Sequence, residues 1–314
     1  MNVYFDLNIF DRIEKKDKLD DFEKEIYNNL ESLVVENKIA VPYSNAHLND
    51  LYRGYEKNPD YVNGHLETIS KLTKNLCLCQ YWNQPLATWH IRNIFEFFEE
   101  KKEDREFESE TFEDLLSKNN LPNVALMYKF VPLDKNWKLA YSQDPMFGIM
   151  FPKSRIENNG YALIQDIYEF QHRLKTDYAL YKNFKSYLAK SVLKLNNSQA
   201  YIKSIRENFK DLPKHLEIEH LSDLYAPQDT VLKNKNYSNV LDTFYKLDLK
   251  GYKTDANFNN MFDDSLHTFY ASHCDFFVTN DDRCKYKAEQ TFDKLKIKTI
   301  VIKAHEYQKI QNCL

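Results

Sequence analysis

Apolar residues form short runs near both ends of the chain, with helical spacing between them. Val3-Tyr-Phe5 is a β-rich run too short for a buried helix. From Ile9 to Val35, the residues Ile9, Ile13, Leu19, Phe22, Ile26, Leu30, Leu33 and Val34 mark one face and predict a helix. Ile39-Ala-Val41 predicts a second strand, closed by Pro42. Ser44 is then placed to cap a helix carrying His47, Leu48 and Leu51. The order β-α-β-α predicts a parallel sheet with helices on both faces.

The C-terminal end repeats this grammar. The pattern predicts a helix over Asp264–Ser272, a strand over Phe276–Thr279, a helix over Arg283–Leu295 and a buried strand over Thr299–Ile302. From Cys79 to Met261 strand signals are weak and helical periodicity dominates. Pro122, Pro132, Pro145 and Pro152 interrupt the first part, and Ile164–Leu195 reads as one long helix. No internal repeat is visible.

Composition narrows the chemistry. Only 5 of 314 residues are glycine, and none falls in a G-x-G-x-x-G or G-x-x-x-x-G-K pattern. Kinase, P-loop and Rossmann readings therefore lose their main support. The net charge of −4 excludes a strongly basic, histone-like binder but not a local polyanion surface. Residues 96–114 hold ten acidic and three basic residues, and residues 173–214 hold the reverse. The acidic stretch reads as a solvated helix end and loop. In the basic stretch Tyr178, Tyr181, Phe184 and Tyr187 interleave with Lys175, Lys182, Lys185 and Lys190. This suits a nucleic-acid surface, but aromatics at helical spacing are more often core. No apolar run reaches membrane-spanning length, and mean hydropathy is −0.66. The first residues lack a basic stretch followed by an apolar core, so the expected compartment is cytoplasmic, with Cys77, Cys79, Cys274, Cys284 and Cys313 reduced.

The informative feature is where aspartates fall. Asp6 directly follows the first strand, Asp50 lies in the helix after the second, Asp264 starts a helix, and Asp281 directly follows the Phe276–Thr279 strand. In an open parallel sheet such positions gather at one edge, where ligands bind. Four carboxylates there repel one another unless a cation sits among them or some stay protonated. Hard oxygen ligands suit Mg²⁺ or Mn²⁺ rather than zinc.

These residues stand in a pattern that resembles PIN-domain nucleases. Tyr4-Phe-Asp6-Leu-Asn8 is similar to their opening strand, which ends in Asp-x-Asn. Pro42-Tyr-Ser44-Asn-Ala-His47-Leu-Asn-Asp50 is similar to their second motif. Asp264-Ser-Leu-His267-Thr-Phe-Tyr-Ala271 and Phe277-Val-Thr279-Asn-Asp281 resemble the third and fourth. Asp263 adjoins Asp264, but the spacing to Ala271 favours Asp264. The resemblance implies an α/β fold, three-layer α/β/α with a central parallel sheet. It assigns residues 1–80 together with 255–314 to the nuclease core and residues 81–254 to a mostly helical insertion. It also implies Mg²⁺- or Mn²⁺-dependent endonucleolytic hydrolysis of phosphodiester bonds, mostly in RNA, in the manner of a toxin-like or defence-type effector. Asp6, Asp50, Asp264 and Asp281 would be the catalytic and metal-holding residues, Asn8 and Thr279 supporting groups, and Asp282 an outer-shell ligand. A catalytically silent PIN-like binding module and a DNA-directed nuclease remain as alternatives. A homo-oligomer or an inhibitor protein stays open as partner.

Other constellations are weaker. Arg53, Lys285 and Lys287 lie near the motifs and could neutralise phosphates, though the two lysines equally suit a solvated helix face. Cys77-x-Cys79 reads as a buried structural pair on one face of a strand. His267, His273, Cys274 and Cys284 fit no zinc-ligand spacing. His267, one turn beyond Asp264, either faces the site or packs. Trp82, Trp89 and Trp137 suggest packing only.

Overall fold

A computed structural model describes residues 1–81, 84–106, 112–118, 126–196, 237–249, 251, 253, 255 and 258–314. Trp82, Pro122, parts of both charged stretches, and the side chains of Lys175 and Tyr178 lie outside the described residues. The chain is mixed α/β and forms two compact units. One comprises Met1–Glu103, Leu195–Asp255 and Asn260–Leu314, and the other Asp104–Lys194 and Ala256–Asn259.

The first unit opens with β1 (Val3–Phe5), α1 (Leu7–Glu14) and α2 (Asp21–Val35). The helix expected over Ile9–Val35 is thus two helices. Leu19 takes an extended conformation, and Asp20 restarts the helix by accepting from Glu23 N at 2.8 Å. Next come β2 (Tyr43–Ser44), α3 (Asn45–Lys57), α4 (Tyr61–Thr73), β3 (Leu76–Cys79), β4 (Thr88–Ile91) and α5 (Ile94–Glu106). The second strand lies just past the expected Ile39–Val41. Ala40 makes only an isolated parallel bridge to Asn2, and regular pairing with β3 begins after Pro42, which has no N–H to give.

The second unit is helical. It contains α6 (Phe112–Lys118), α7 (Lys135–Gln143), α8 (Pro145–Met150), α9 (Pro152–Glu157), α10 (Gly160–Thr176) and α11 (Tyr178–Asn196). The long helix expected over Ile164–Leu195 is broken at Asp177. That residue is extended, and its carboxylate accepts from Leu180 N at 2.9 Å, capping the next helix. Two of the aromatics interleaved with lysines, Tyr181 and Phe184, are packing residues here. Tyr181 is buried against Phe258, and Phe184 packs edge-on to Phe170.

The chain re-enters the first unit with α12 (Tyr237–Leu249), then α13 (Phe258–Ala271), β5 (Phe276–Val278), α14 (Asp282–Lys294), β6 (Ile300–Ile302) and α15 (Gln308–Gln311). β1 pairs in parallel with β5, and β5 with β6. On its other edge β1 meets Ala40, with Val3 N donating to Ala40 O at 2.9 Å. Beyond it β2 pairs in parallel with β3, and β3 antiparallel with β4. The strands thus form two three-stranded sheets, β1-β5-β6 and β2-β3-β4, and the isolated bridge of Asn2 to Ala40 lies between them. Asp6 follows the C-terminal end of β1, the end of the strands at which open α/β sheets bind ligands.

Alternation sorts the strand residues between two cores. Val3, Phe5, Cys77, Cys79, Phe276, Val278 and Ile302 share one cluster with residues of α1 to α5. Tyr4, Leu78, Phe277 and Val301 share the other with residues of α12, α13 and α14. Cys77 and Cys79 sit side by side, sulfur to sulfur 3.3 Å, as free buried thiols.

Lys287 faces this second core and is not on a solvated face. Its side chain is fully buried, with Nζ 3.1 Å from Asp248 Oδ1 and paired to Asp255. It is therefore withdrawn from any phosphate-neutralising surface. The ammonium ties α14 to the end of α12 and to the chain that leads into α13. Lys287→Met strands two buried carboxylates, and an equilibrium denaturation series is expected to lose about 3–5 kcal/mol. A loss under about 1 kcal/mol, the worth of an exposed pair, would contradict this anchor.

Candidate metal centre

The parallel register of β1 and β5 builds the first part of the site. Phe5 lies opposite Val278, so the residues just past each strand, Asp6 and Thr279, become neighbours. Asp6 occupies the N-cap of α1 but makes no side-chain cap bond there. Its Oδ2 instead accepts from Thr279 Oγ1 at 2.6 Å and from Asn8 Nδ2 at 2.5 Å. Asn8 Oδ1 in turn accepts from Asn280 N at 3.2 Å. Neutral donors thus fix one carboxylate oxygen of a buried Asp6.

The second part comes from two helices. Ser44 caps α3, and His47 completes a capping box, its Nδ1 accepting from Ser44 N at 3.0 Å. His47 Nε2 donates to Phe5 O at 2.8 Å, which fixes the tautomer and ties α3 to the end of β1. Asp50 lies one turn further on the same side of α3. From α13, His267 Nε2 donates to Asp50 Oδ2 at 2.9 Å and stands 3.9 Å from Asp6 Oδ1. Its Nδ1 meets the Tyr4 hydroxyl at 2.9 Å, and that hydroxyl lies 2.6 Å from Ser44 Oγ. One ligand atom each from Asp6, Asp50 and His267 lie within 4.8 Å of one another.

Charge is offset at this cluster by specific cations. Arg53 pairs with Asp50 and, through NH1, with Asp263 Oδ2 at 2.6 Å. It is engaged within the cluster, so it is not the free phosphate contact expected of it. Burial penalises charge on His267, but the hydrogen bond it donates to Asp50 and the charges of Asp6, Asp50 and Asp263 outweigh it and raise its pKa. Burial would raise Asp50 too, and His267 and then Arg53 hold it below the usual range. Burial raises Asp6, with Asp50 adding to the rise and His267 and Thr279 opposing it. Burial, then the Asp50 charge, pushes Asp263 up to about 6. His47 goes the other way. Burial and the charge on His267 push it down to about 3, so it stays neutral.

Asp264 is the least compensated carboxyl beside the cluster. It is half-buried well inside α13, whose first turn begins at Phe258, and so does not head the helix as expected. Burial pushes its carboxyl well above the ordinary range, Asp255, Asp6 and Asp281 push it further, and Lys287 opposes them. Asp281 is exposed and caps α14, accepting from Arg283 N at 2.6 Å and Cys284 N at 3.0 Å. Asp282 is exposed and pairs with Lys303 at 2.6 Å. Lys285 pairs with Glu289 on its own helix.

The residues expected from the motifs therefore divide. Asp6 and Asp50 share the tight cluster, with Asn8 and Thr279 bonded to Asp6. Asp264 and Asp281 join it through charge, and Asp282 faces elsewhere. His267 and Asp263 complete the cluster although the expected set left them out. Their positions one helical turn apart on α13 were the available signal. The donor set suits a divalent cation: the cluster can hold a metal ion, with two carboxylates and an imidazole converging. The raised Asp264 marks where positive charge is missing.

A scan against family models and searches of curated proteins and of solved structures gave no match.

The raised carboxyl of Asp264 has a stability consequence. An unfolded Asp264 ionises near pH 4, and burial and the neighbouring carboxylates hold the folded one above that. The stability it contributes is complete below that pH and is lost as pH rises through its folded value. Thermal melts of metal-free protein between pH 4 and pH 8 should show Asp264→Asn gaining on the wild type toward high pH, by on the order of 1 kcal/mol. A variant that loses ground with rising pH would contradict the buried, repelled carboxyl.

Proposed function

We propose that this chain is a metal-dependent endonuclease that hydrolyses phosphodiester bonds, with RNA as the substrate. The observation that carries the reading is the convergence of Asp6, Asp50 and His267 just past the C-terminal end of β1 in the parallel sheet. Support also comes from the likeness of Asp6-Leu-Asn8 and Thr279-Asn-Asp281 to PIN-domain nucleases. Helices from separate cores against the two sheet faces agree with the three-layer PIN arrangement.

On this reading Asp6 and Asp50 would hold Mg²⁺ or Mn²⁺ with His267 turned toward them, Asp264 would add a carboxyl beside them, and Asp281 would add negative charge at the edge of the site. The ion supplies charge stabilisation at the phosphate and makes water a competent nucleophile at neutral pH. The protein's share is to aim and balance the ligands. Asn8 and Thr279 lock one oxygen of Asp6, and Arg53 keeps Asp50 turned toward the cluster. His267 bridges Asp6 and Asp50 and hands its second nitrogen to Tyr4.

Purified protein is expected to cut single-stranded RNA in Mg²⁺ or Mn²⁺ and to stop in EDTA. Asp6→Asn should abolish cleavage. Thr279→Val, which removes a bond to Asp6 without removing a ligand, should cost about 10–100-fold. Cleavage that survives EDTA or Asp6→Asn would refute the reading. Branched DNA cut in preference to RNA would move the substrate to DNA.

A further inference from the structure

A cavity of about 450 Å³ opens on the same sheet edge and has no role in the metal cluster. Its size lies within the range of about 300–1,000 Å³ that small-molecule sites occupy. One wall is the face of α2 that presents Phe22, Glu23, Ile26 and Tyr27, and another is formed by Asn280 and by Lys303 to His305, just past β5 and β6. Arg12 of α1 closes it, one turn beyond Asn8 on the same side of that helix.

Hydrogen bonds connect this cavity to the cluster without a break. Asp6 accepts from Asn8, Asn8 accepts from Asn280 N at 3.2 Å, and Asn280 Nδ2 donates to Tyr27 OH at 2.7 Å. The Tyr27 hydroxyl thereby accepts from Asn280 and keeps its own proton to donate. Asn280 Oδ1 accepts from Ala304 N at 3.2 Å, which sets the wall rigidly against the end of β6.

The lining has the chemistry of a nucleotide contact. Phe22 is 72% exposed, an aromatic ring held out from α2 at the cavity. Arg12 and Lys303 bring two cations, and among the described residues each pairs with one partly exposed carboxylate. Arg12 NH1 is 3.5 Å from Glu23, and Lys303 Nζ is 2.6 Å from Asp282. Exposed pairs of this kind are worth little, so a phosphate can displace them. Aromatic stacking on a base together with cations on its backbone is how single strands are gripped.

We propose that this cavity is a subsite for one nucleotide of a single-stranded nucleic acid, its base stacked on Phe22 and its phosphate taken by Arg12 and Lys303. The proposal rests on the nuclease reading for the nature of the polymer, and it names where the nucleotide flanking the cut is held. Tyr27 supplies a hydroxyl to the base or sugar. Glu23 opposes the phosphate and limits affinity.

The test is ligand-observed NMR titration of the full chain with uridine and adenosine 5′-monophosphates in EDTA, with inorganic phosphate and uridine as separate arms. Both nucleotides should bind, each more tightly than phosphate or uridine alone. Phe22→Ala should weaken nucleotide binding by about 5- to 150-fold, the worth of one base–aromatic stack. Arg12→Gln should weaken it by about tenfold or more. Glu23→Gln should tighten it, a gain that a misfolded variant cannot give. No nucleotide binding at millimolar concentration, phosphate binding as well as the nucleotides, or wild-type affinity in Phe22→Ala and Arg12→Gln would each overturn the subsite. Because EDTA is present, failure of the metal centre leaves this readout untouched. Nucleotide binding lost on Phe22→Ala in a protein that cuts nothing would uphold the subsite and reject the nuclease reading alone.

Discussion

Parallel pairing of β1 with β5 governs where every charged group of the cluster can sit. With Phe5 opposite Val278, the next residues are a carboxylate and a hydroxyl side by side, and Thr279 closes on Asp6 at 2.6 Å. Shifting the pairing by one residue would send Asp6 to the opposite face, because strand side chains alternate. The same register delivers Asn280 to Asn8 and to Tyr27, so the cluster and the neighbouring cavity share one rigid edge. Two helices complete the frame. His47 fastens α3 to the carbonyl of Phe5, and Tyr4 reaches from β1 to His267 on α13.

Such a concentration of carboxylates is costly without compensation. The chain meets the cost in layers. Arg53, and His267 with its raised pKa, are placed between acids from different elements, so each tempers more than one group. Behind them Lys287 holds Asp248 and Asp255 in the core and tempers Asp264. Asp264 is left the least compensated, raised by burial and then by the charges of Asp255, Asp6 and Asp281.

Much of the fold was legible because buried parallel strands write short apolar runs. Val3–Phe5 and Phe276–Val278 are read directly, and the aspartates that follow them are visible in order. What escaped depended on local turns or on distant partners. Asp177 splits α10 from α11 through a cap that apolar periodicity does not register, and β4 is an exposed edge strand with no buried run to announce it. Regular pairing of the second strand begins only after Pro42, at Tyr43, past the expected Ile39–Val41. Lys287 looked like a surface lysine because its partners, Asp248 and Asp255, are more than thirty residues away. His267 could be placed one turn from Asp264, yet only the approach of α3 to α13 makes it a bridge between Asp6 and Asp50.

The most direct measurement is anomalous diffraction from crystals soaked in millimolar Mn²⁺, comparing the wild type with Asp6→Asn. A divalent cation bound by this edge predicts one or two manganese peaks among the carboxylates of Asp6, Asp50 and Asp264, lost in the variant. Two ions, if present, would lie about 3.5–4 Å apart. No peak there in the wild type, or a peak that persists unchanged without the Asp6 carboxylate, would contradict a metal centre at the end of β1.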